Sequence, residues 1–256
     1  ETSYSPFAES VTVFERFLNE FPNSRYRDRV NDYLVETYMN TRSYDAALKS
    51  IAKIGRPGPR ILEAKQKILF RLGTQAFVNT DFAQARQYFD RSLEVGAYDA
   101  ETRANACYWR GETHYRQANY QAAARDFRMY LELTKNKQSQ EYGLALYGLG
   151  YAGFQQKNYS QALGWFNRYV SEAEGGNRQV LADAYNRIGD CYFYVRNFDA
   201  ARQHYDKAGQ VDASLGDYSL YQEGFVEGLQ RDYMGKIQSL NRLITDYPQS
   251  SYIDDA

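Results

Sequence analysis

Apolar and small residues recur along the chain at helical spacing, and the pattern breaks at regular places. Glycines stand at 73, 111, 150, 189 and 224, with Val35 in the same place one step earlier, giving spacings of 38, 38, 39, 39 and 35 residues. Eight residues after each comes a short polar residue: Ser43, Asp81, Asn119, Asn158, Asn197 or Asp232. Nine after comes an aromatic: Tyr44, Phe82, Tyr120, Tyr159, Phe198 or Tyr233. Twelve after comes Ala47, Ala85, Ala123, Ala162 or Ala201, then Lys236, and sixteen after comes Ile51, Phe89, Phe127, Phe166, Tyr205 or Leu240. Apolar positions at i, i+3 and i+4 flank the polar residue, as in Leu69, Leu72, Gly73 and Ala76 followed by Phe82, Ala85 and Phe89. Each unit is therefore predicted to hold two amphipathic helices joined by a short turn. The Ser, Asn or Asp is placed to cap the second helix by accepting its free backbone N–H groups. The Gly and Ala columns strip bulk from the helix crossing and predict close antiparallel approach.

This register divides the whole chain, residues 1–256, as one solenoid. A half repeat spans 1–22, and full units span 25–55, 60–96, 100–135, 140–174, 178–211 and 216–248, with the start of another at 250–256. "GRPGPR" at 55–60 is expected to be the most irregular junction, and "GAYDAE", "KNKQSQ" and "EGGNRQ" to be turns between units. "FPNSRYRD" at 21–28 and "YPQSSYIDD" at 247–255 repeat one phrase at the same phase, Pro22 lying eight beyond Phe14 and Pro248 eight beyond Leu240. That predicts a fragment of a longer array, with apolar faces exposed at its ends and end-to-end self-association.

The columns resemble the tetratricopeptide repeat, whose signature reads W-x2-L-G-x2-Y, then A-x3-F, then P. The fifth unit resembles it most, through Tyr185, Ile188, Gly189, Tyr192, Ala201 and Tyr205, and the second follows with Leu69, Leu72, Gly73, Ala85 and Phe89. The period of 38 to 39 against the family's 34, Val35 for Gly, and Lys236 for Ala are departures. The longer period and the phrase "FERFLNEFPNS" resemble, more narrowly, tetratricopeptide proteins of the bacterial cell envelope, of the outer-membrane assembly lipoprotein or Tol-Pal coordinator type. The resemblance implies an all-α, right-handed α-α superhelix of about six helix pairs, whose first helices line a concave groove. It also implies a non-catalytic interaction scaffold, periplasmic or outer-membrane-associated, with the cytoplasm as the alternative.

On each first helix the groove face holds the residues three before the Gly and one, four and five after it. Read through the array, that face is aromatic in its middle and carries carboxylates and one Arg. Phe70, Tyr108, Glu112, Arg116, Tyr147, Tyr151, Asp190, Tyr194 and Tyr221 are the candidate partner-binding residues. Tyr offers large contact area at small entropy cost, and its hydroxyl satisfies a polar backbone, so a protein or peptide partner is expected. Phe77, Tyr115, Phe154 and Phe193 stand where neighbouring repeats meet and are expected to pack. Chaperone-binding members hold a terminal carboxylate with Lys, Arg and Asn on this face. Here Asp, Glu, Phe, Thr and Tyr stand there, so no clamp for acidic C-terminal peptides is expected.

Composition narrows the remaining choices. The chain is 43% apolar and 25% charged with net charge −1, and its basic residues are scattered, which argues against nucleic acid. No run reaches the roughly 20 apolar residues of a membrane span. Aromatic residues make up 16% of the chain, including 25 Tyr. Cys107 and Cys191 lack metal or redox spacing and are read as buried small apolar side chains. His114 and His204 fall in different units, His114 read as buried and His204 as partly exposed, and neither belongs to a metal-ligand pattern. "GLGYAG" at 148–153 sits in the middle of a helix and is packing, not a nucleotide loop. Catalysis, cofactors and metals are all unexpected. Two other readings stay open: glycan binding on aromatic platforms, and a regulatory module of a larger signalling protein.

Overall fold

The computed structural model describes residues 6–41, 43–172 and 177–256. Among these residues it is all-α, with thirteen α-helices, two 3₁₀ turns and no strand. The chain forms two compact units, one ending at Ala118 and the other beginning at Asn119. The first five residues of the expected half repeat, and the first half of the "EGGNRQ" turn, lie outside the described residues.

The first unit contains α1 (Pro6–Glu20), α2 (Arg27–Asn40), α3 (Tyr44–Ala52), α4 (Pro59–Val78), α5 (Phe82–Val95) and α6 (Ala100–Arg116). Leu18, Leu34, Tyr38, Ile51, Ile61 and Ile68 form its first core cluster, and Ala76, Ala85, Phe89 and Ala106 form a second. α4 is the longest helix at 20 residues, launched by Pro59 at its first position, where the missing N–H costs nothing. The "GRPG" junction before it is fixed by Asn19, which donates to Lys53 O and accepts from Gly55 N, each at 2.9 Å. Gln66, wholly buried, holds the next junction by donating to Gly96 O at 3.1 Å and accepting from Asp99 N at 2.9 Å.

The second unit contains α7 (Tyr120–Leu133), α8 (Gln140–Gln155), α9 (Tyr159–Glu172), α10 (Arg178–Tyr194), α11 (Phe198–Val211), α12 (Gly216–Leu229) and α13 (Tyr233–Asp246). Each helix packs on its neighbours in sequence. Its main core joins Tyr142, Leu146, Phe166, Tyr169 and Ile188, and a smaller cluster joins Ala201, Tyr205 and Val226. α13 leaves Tyr233, Met234 and Ile237 exposed.

The recurring columns act as their chemistry dictates. Ser43, Asp81, Asn119, Asn158, Asn197 and Asp232 each accept from the backbone N–H three residues on, capping the second helix of a pair. The residue just before five of these caps is left-handed: Thr80, Ala118, Lys157, Arg196 and Arg231 have φ between 58° and 64°. A Cβ on Gly73 would come within 2.5 Å of Phe89, one on Gly150 within 2.6 Å of Phe166 and one on Gly189 within 2.5 Å of Tyr205. The Gly and the residue sixteen later are therefore a contact pair, and the glycine exists to admit the ring. Lys236, in the Ala column, is accommodated by Gly228, whose Cβ would sit 3.2 Å from the lysine stem.

Candidate functional site

A pocketed surface of the second unit grows from three charges on α10. Asp183, Arg187 and Asp190 are spaced four and three residues apart, which puts them on one helix face. Arg187 Nε stands 3.5 Å from Asp183 Oδ1, and Nη1 stands 2.6 Å from Asp190 Oδ2. Asp190 Oδ2 is closed off from solvent, with the Arg187 guanidinium as its ionic neighbour. The other oxygen, Oδ1, accepts from Tyr205 and Tyr218 hydroxyls, each at 2.8 Å. Asp183 Oδ2 accepts from the Tyr147 hydroxyl at 2.7 Å and also from the Tyr151 hydroxyl. Four tyrosines thus serve two carboxylates around one guanidinium.

Burial sets the protonation of this cluster. It pushes the Asp190 carboxyl up, against the pull of Arg187 and the two tyrosine hydroxyls. Burial also works against the Arg187 charge, yet Asp190, Tyr218, Tyr151 and Asp183 together hold its pKa above the ordinary value. Tyr147, Tyr151, Tyr205 and Tyr218 are all raised, first by burial and then by the neighbouring carboxylates, so they stay neutral donors. The Arg187 guanidinium lies over the Tyr218 ring at 4.8 Å and the Phe154 ring at 5.9 Å.

Around this floor opens a pocket of about 370 Å³, lined by Arg187 and Asp190 with Phe154, Phe193, Tyr194, Tyr218, Tyr221 and Phe225 among its walls. Its size falls in the range of side-chain and small-ligand pockets. Tyr194 stacks on Tyr159 at 4.3 Å and 8°, and Tyr221 stacks on Tyr252 at 4.9 Å and 19°. The "YPQSSYIDD" phrase therefore buttresses one wall, held by Ser250, which donates to Asp217 at 2.8 Å. Phe193 and Phe225 meet at 5.8 Å, bridging the first helices of consecutive repeats.

Of the sequence-derived candidates, Asp190, Tyr194 and Tyr221 line this pocket. Tyr147 and Tyr151 are not among its walls, and both donate their hydroxyls to Asp183. Phe70, Tyr108, Glu112 and Arg116 belong to the first unit. There Phe70 packs on Phe89 at 6.0 Å, Tyr108 is buried, Arg116 is exposed, and burial pushes the Glu112 carboxyl up against the pull of Arg116. Sequence reasoning passed over Arg187 and Tyr218; Phe225, one residue after Gly224, falls on the expected groove face but was not among the selected candidates. The acid-base-acid ladder of α10 was the available signal for Arg187. The first unit has its own smaller pocket of about 280 Å³, lined by Val35, Met39, Arg60, Glu63, Ala64 and Lys67.

Little else offers chemistry. Cys107 and Cys191 are both buried thiols, and burial pushes Cys191 up to about 12. His204 is half-buried against Tyr192, with Nδ1 2.7 Å from Ala200 O, and burial lowers its pKa. Among the described residues no group of three or more His, Cys, Asp or Glu side chains is placed to hold a metal ion. Among them, too, no helix is long and apolar enough to cross a membrane.

Comparison with known proteins places this architecture. The tetratricopeptide repeat family matches residues 70–139 and 128–177, and a second description of the same repeat matches residues 182–215. Between them these matches cover more than half of the chain, which belongs to the tetratricopeptide-repeat family. Members of this family generally mediate protein-protein interaction and are typically non-catalytic. Among solved structures the chain is similar to YrrB, described as a TPR protein with an unusual peptide-binding site, at 18% identity and TM-score 0.59 over 71% of this chain and 86% of that one. It is similar to MamA from Desulfovibrio magneticus RS-1, at 20% identity and TM-score 0.60 over 73% and 98%. It is also similar to the apo form of RapI, at 12% identity and TM-score 0.63 over 96% and 78%. At these identities the likeness is one of fold. No curated protein sequence matches the chain.

Proposed function

We propose that this chain is a non-catalytic scaffold for a protein or peptide partner, and that the pocket walled by Tyr194, Tyr221 and Phe225 seats a side chain of that partner. The carrying observation is the pocket itself. Tyr194 is 54% exposed and Phe225 48% exposed, yet both flank a hydrogen-bonded floor. Exposed aromatics held in place by their neighbours are the composition of interface hot spots. Phe70, Glu112 and Arg116 are proposed as partner-contact positions of the first unit taken by itself, whereas Tyr108 is buried there and is left to packing. Bacterial envelope assembly, periplasmic or outer-membrane-associated, is the proposed setting. The long repeat period and the "FERFLNEFPNS" phrase support it.

Selection of a displayed random 12-residue peptide library on the full chain tests the pocket. Sequences enriched on the wild type should fail to bind a Tyr194→Ala, Phe225→Ala double variant whose thermal midpoint is unchanged. Equal binding to both proteins would remove the pocket from the account.

A further inference from the structure

We propose that the first unit carries a docking surface for an acidic segment of a partner protein, built where the chain turns from α1 into α2 and from α3 into α4. Residues 15–32 and 53–60 hold seven basic side chains and four carboxylates, in a chain whose net charge is −1. Three of each pair off: Arg16 with Glu20 at 2.6 Å, Arg60 with Asp32 at 3.2 Å and Lys53 with Glu15 at 3.8 Å. Arg25, Arg27, Arg29 and Arg56 are left against Asp28, and none of these five joins an ion pair among the described residues.

The fold gathers the four arginines. Arg27 staples the two turns together, its guanidinium donating to Pro22 O at 2.8 Å and to Arg56 O at 2.5 Å. Arg25 and Arg29 stand two residues to either side of it, and both are exposed, as is Arg56. Arg25 lies over the Tyr26 ring at 4.7 Å and donates to its hydroxyl at 2.6 Å. Arg29 lies over the Tyr33 ring at 5.8 Å and donates to its hydroxyl at 3.3 Å, while Phe14 stacks on that ring at 5.9 Å and 13°. Tyrosine rings position both guanidiniums without neutralising them, which leaves charge and N–H donors for incoming carboxylates. Phe21, Tyr26 and Tyr33 are exposed, so the same surface offers apolar contact between the charges.

A surplus of one charge on one surface attracts a partner of the opposite sign and repels its own. An Asp- or Glu-rich segment with an aromatic among its carboxylates fits both features. None of the four arginines holds a groove-face position, and side-chain carboxylates suffice. The surface therefore differs from a groove clamp for chain termini, and it stands independently of the second unit's pocket.

The blocked peptide Ac-Ser-Glu-Glu-Phe-Glu-Glu-Ser-NH2 and its counterparts with Gln or Lys for Glu, titrated into the full chain by calorimetry, provide the probe. The Glu peptide should bind at least about tenfold tighter than the Gln peptide at about 50 mM salt and lose most of that margin at about 500 mM, and the Lys peptide should bind most weakly. An Arg25→Gln, Arg29→Gln, Arg56→Gln variant, which keeps the Arg27 staple, should bind the Glu peptide at least about tenfold more weakly at an unchanged thermal midpoint. Arg125→Gln, Lys135→Gln, Lys137→Gln in the second unit removes the same charge and should stay within about twofold of the wild type. If the first triple variant lowered the midpoint, Arg56→Gln alone should still weaken the peptide about twofold or more, since that side chain makes no hydrogen bond or ion pair among the described residues. A Gln peptide as tight as the Glu peptide, or equal losses in the two triple variants, would overturn the inference. So would tighter binding of an oligothymidylate than of the Glu peptide, or failure of the Glu peptide to saturate below about 10 mM.

Discussion

Tyr205 on α11 donates its hydroxyl to Asp190 Oδ1 on α10 at 2.8 Å, while its ring closes over Gly189. One side chain thus joins the packing of a repeat to the floor of the pocket. Phe89, Phe127 and Phe166 fill the same place in earlier repeats, so the ring is the shared structural requirement and the hydroxyl is specific to this repeat. Tyr205→Phe should keep the packing and strip a buried carboxylate of one donor, lowering stability by about 1–3 kcal/mol in urea unfolding. An unchanged midpoint would show that Tyr218 alone satisfies Asp190.

The glycine column makes a paired prediction. Gly189→Ala places a methyl 2.5 Å from a wholly buried ring, whereas Gly164→Ala on α9 meets nothing within 4 Å. The first should destabilise by about 1–3 kcal/mol through overpacking, and the second should stabilise by about 0.5–1 kcal/mol through helix propensity. Thermal melts of both variants decide it; two shifts of the same sign would refute the packing role assigned to the column.

Glu223 supplies a pH signature. It is 8% exposed, and burial, together with the Asp206 and Glu227 carboxylates, raises it to about 7 against the pull of Arg242 and Arg202. The folded state holds this proton more tightly than the unfolded chain, whose value is near 4.5. Its contribution is therefore complete below about pH 4.5 and is lost as pH rises through about 7, roughly 3 kcal/mol at most. Glu223→Gln should gain stability relative to the wild type as pH rises across this window. Parallel stability curves for the two proteins would contradict the assignment.

Thr80 holds φ 61° just before the Asp81 cap, a strained conformation for a β-branched residue. Thr80→Gly removes about 1–2 kcal/mol of left-handed strain and adds about 0.5–1 kcal/mol of unfolded-state entropy, so a net gain of about 0.5–1 kcal/mol is expected. A drop in thermal midpoint would mean that the Thr80 side chain supports the turn in another way.

Helix pairs, caps and glycine-ring contacts were legible in the sequence because each needs a particular residue type at a fixed spacing. The left-handed residue before five of the caps was not. Thr80, Ala118, Lys157, Arg196 and Arg231 share a conformation but no chemistry, and the following cap and helix impose it. The site was half legible. Groove-face periodicity picks out Asp190, Tyr194 and Tyr221, but Arg187 lies off the chosen positions and is drawn in by flanking carboxylates and the Tyr218 ring. Tyr147 and Tyr151 share the expected face, yet their hydroxyls are spent on Asp183, a partner 36 and 32 residues away that no local pattern reveals.

The most direct test of the pocket is the dissociation constant of one library-selected peptide for the wild type and for Phe225→Ala, with thermal midpoints measured alongside. A loss of at least about tenfold in affinity at an unchanged midpoint is the predicted result. Unchanged affinity would contradict it, and would place partner binding elsewhere on the chain.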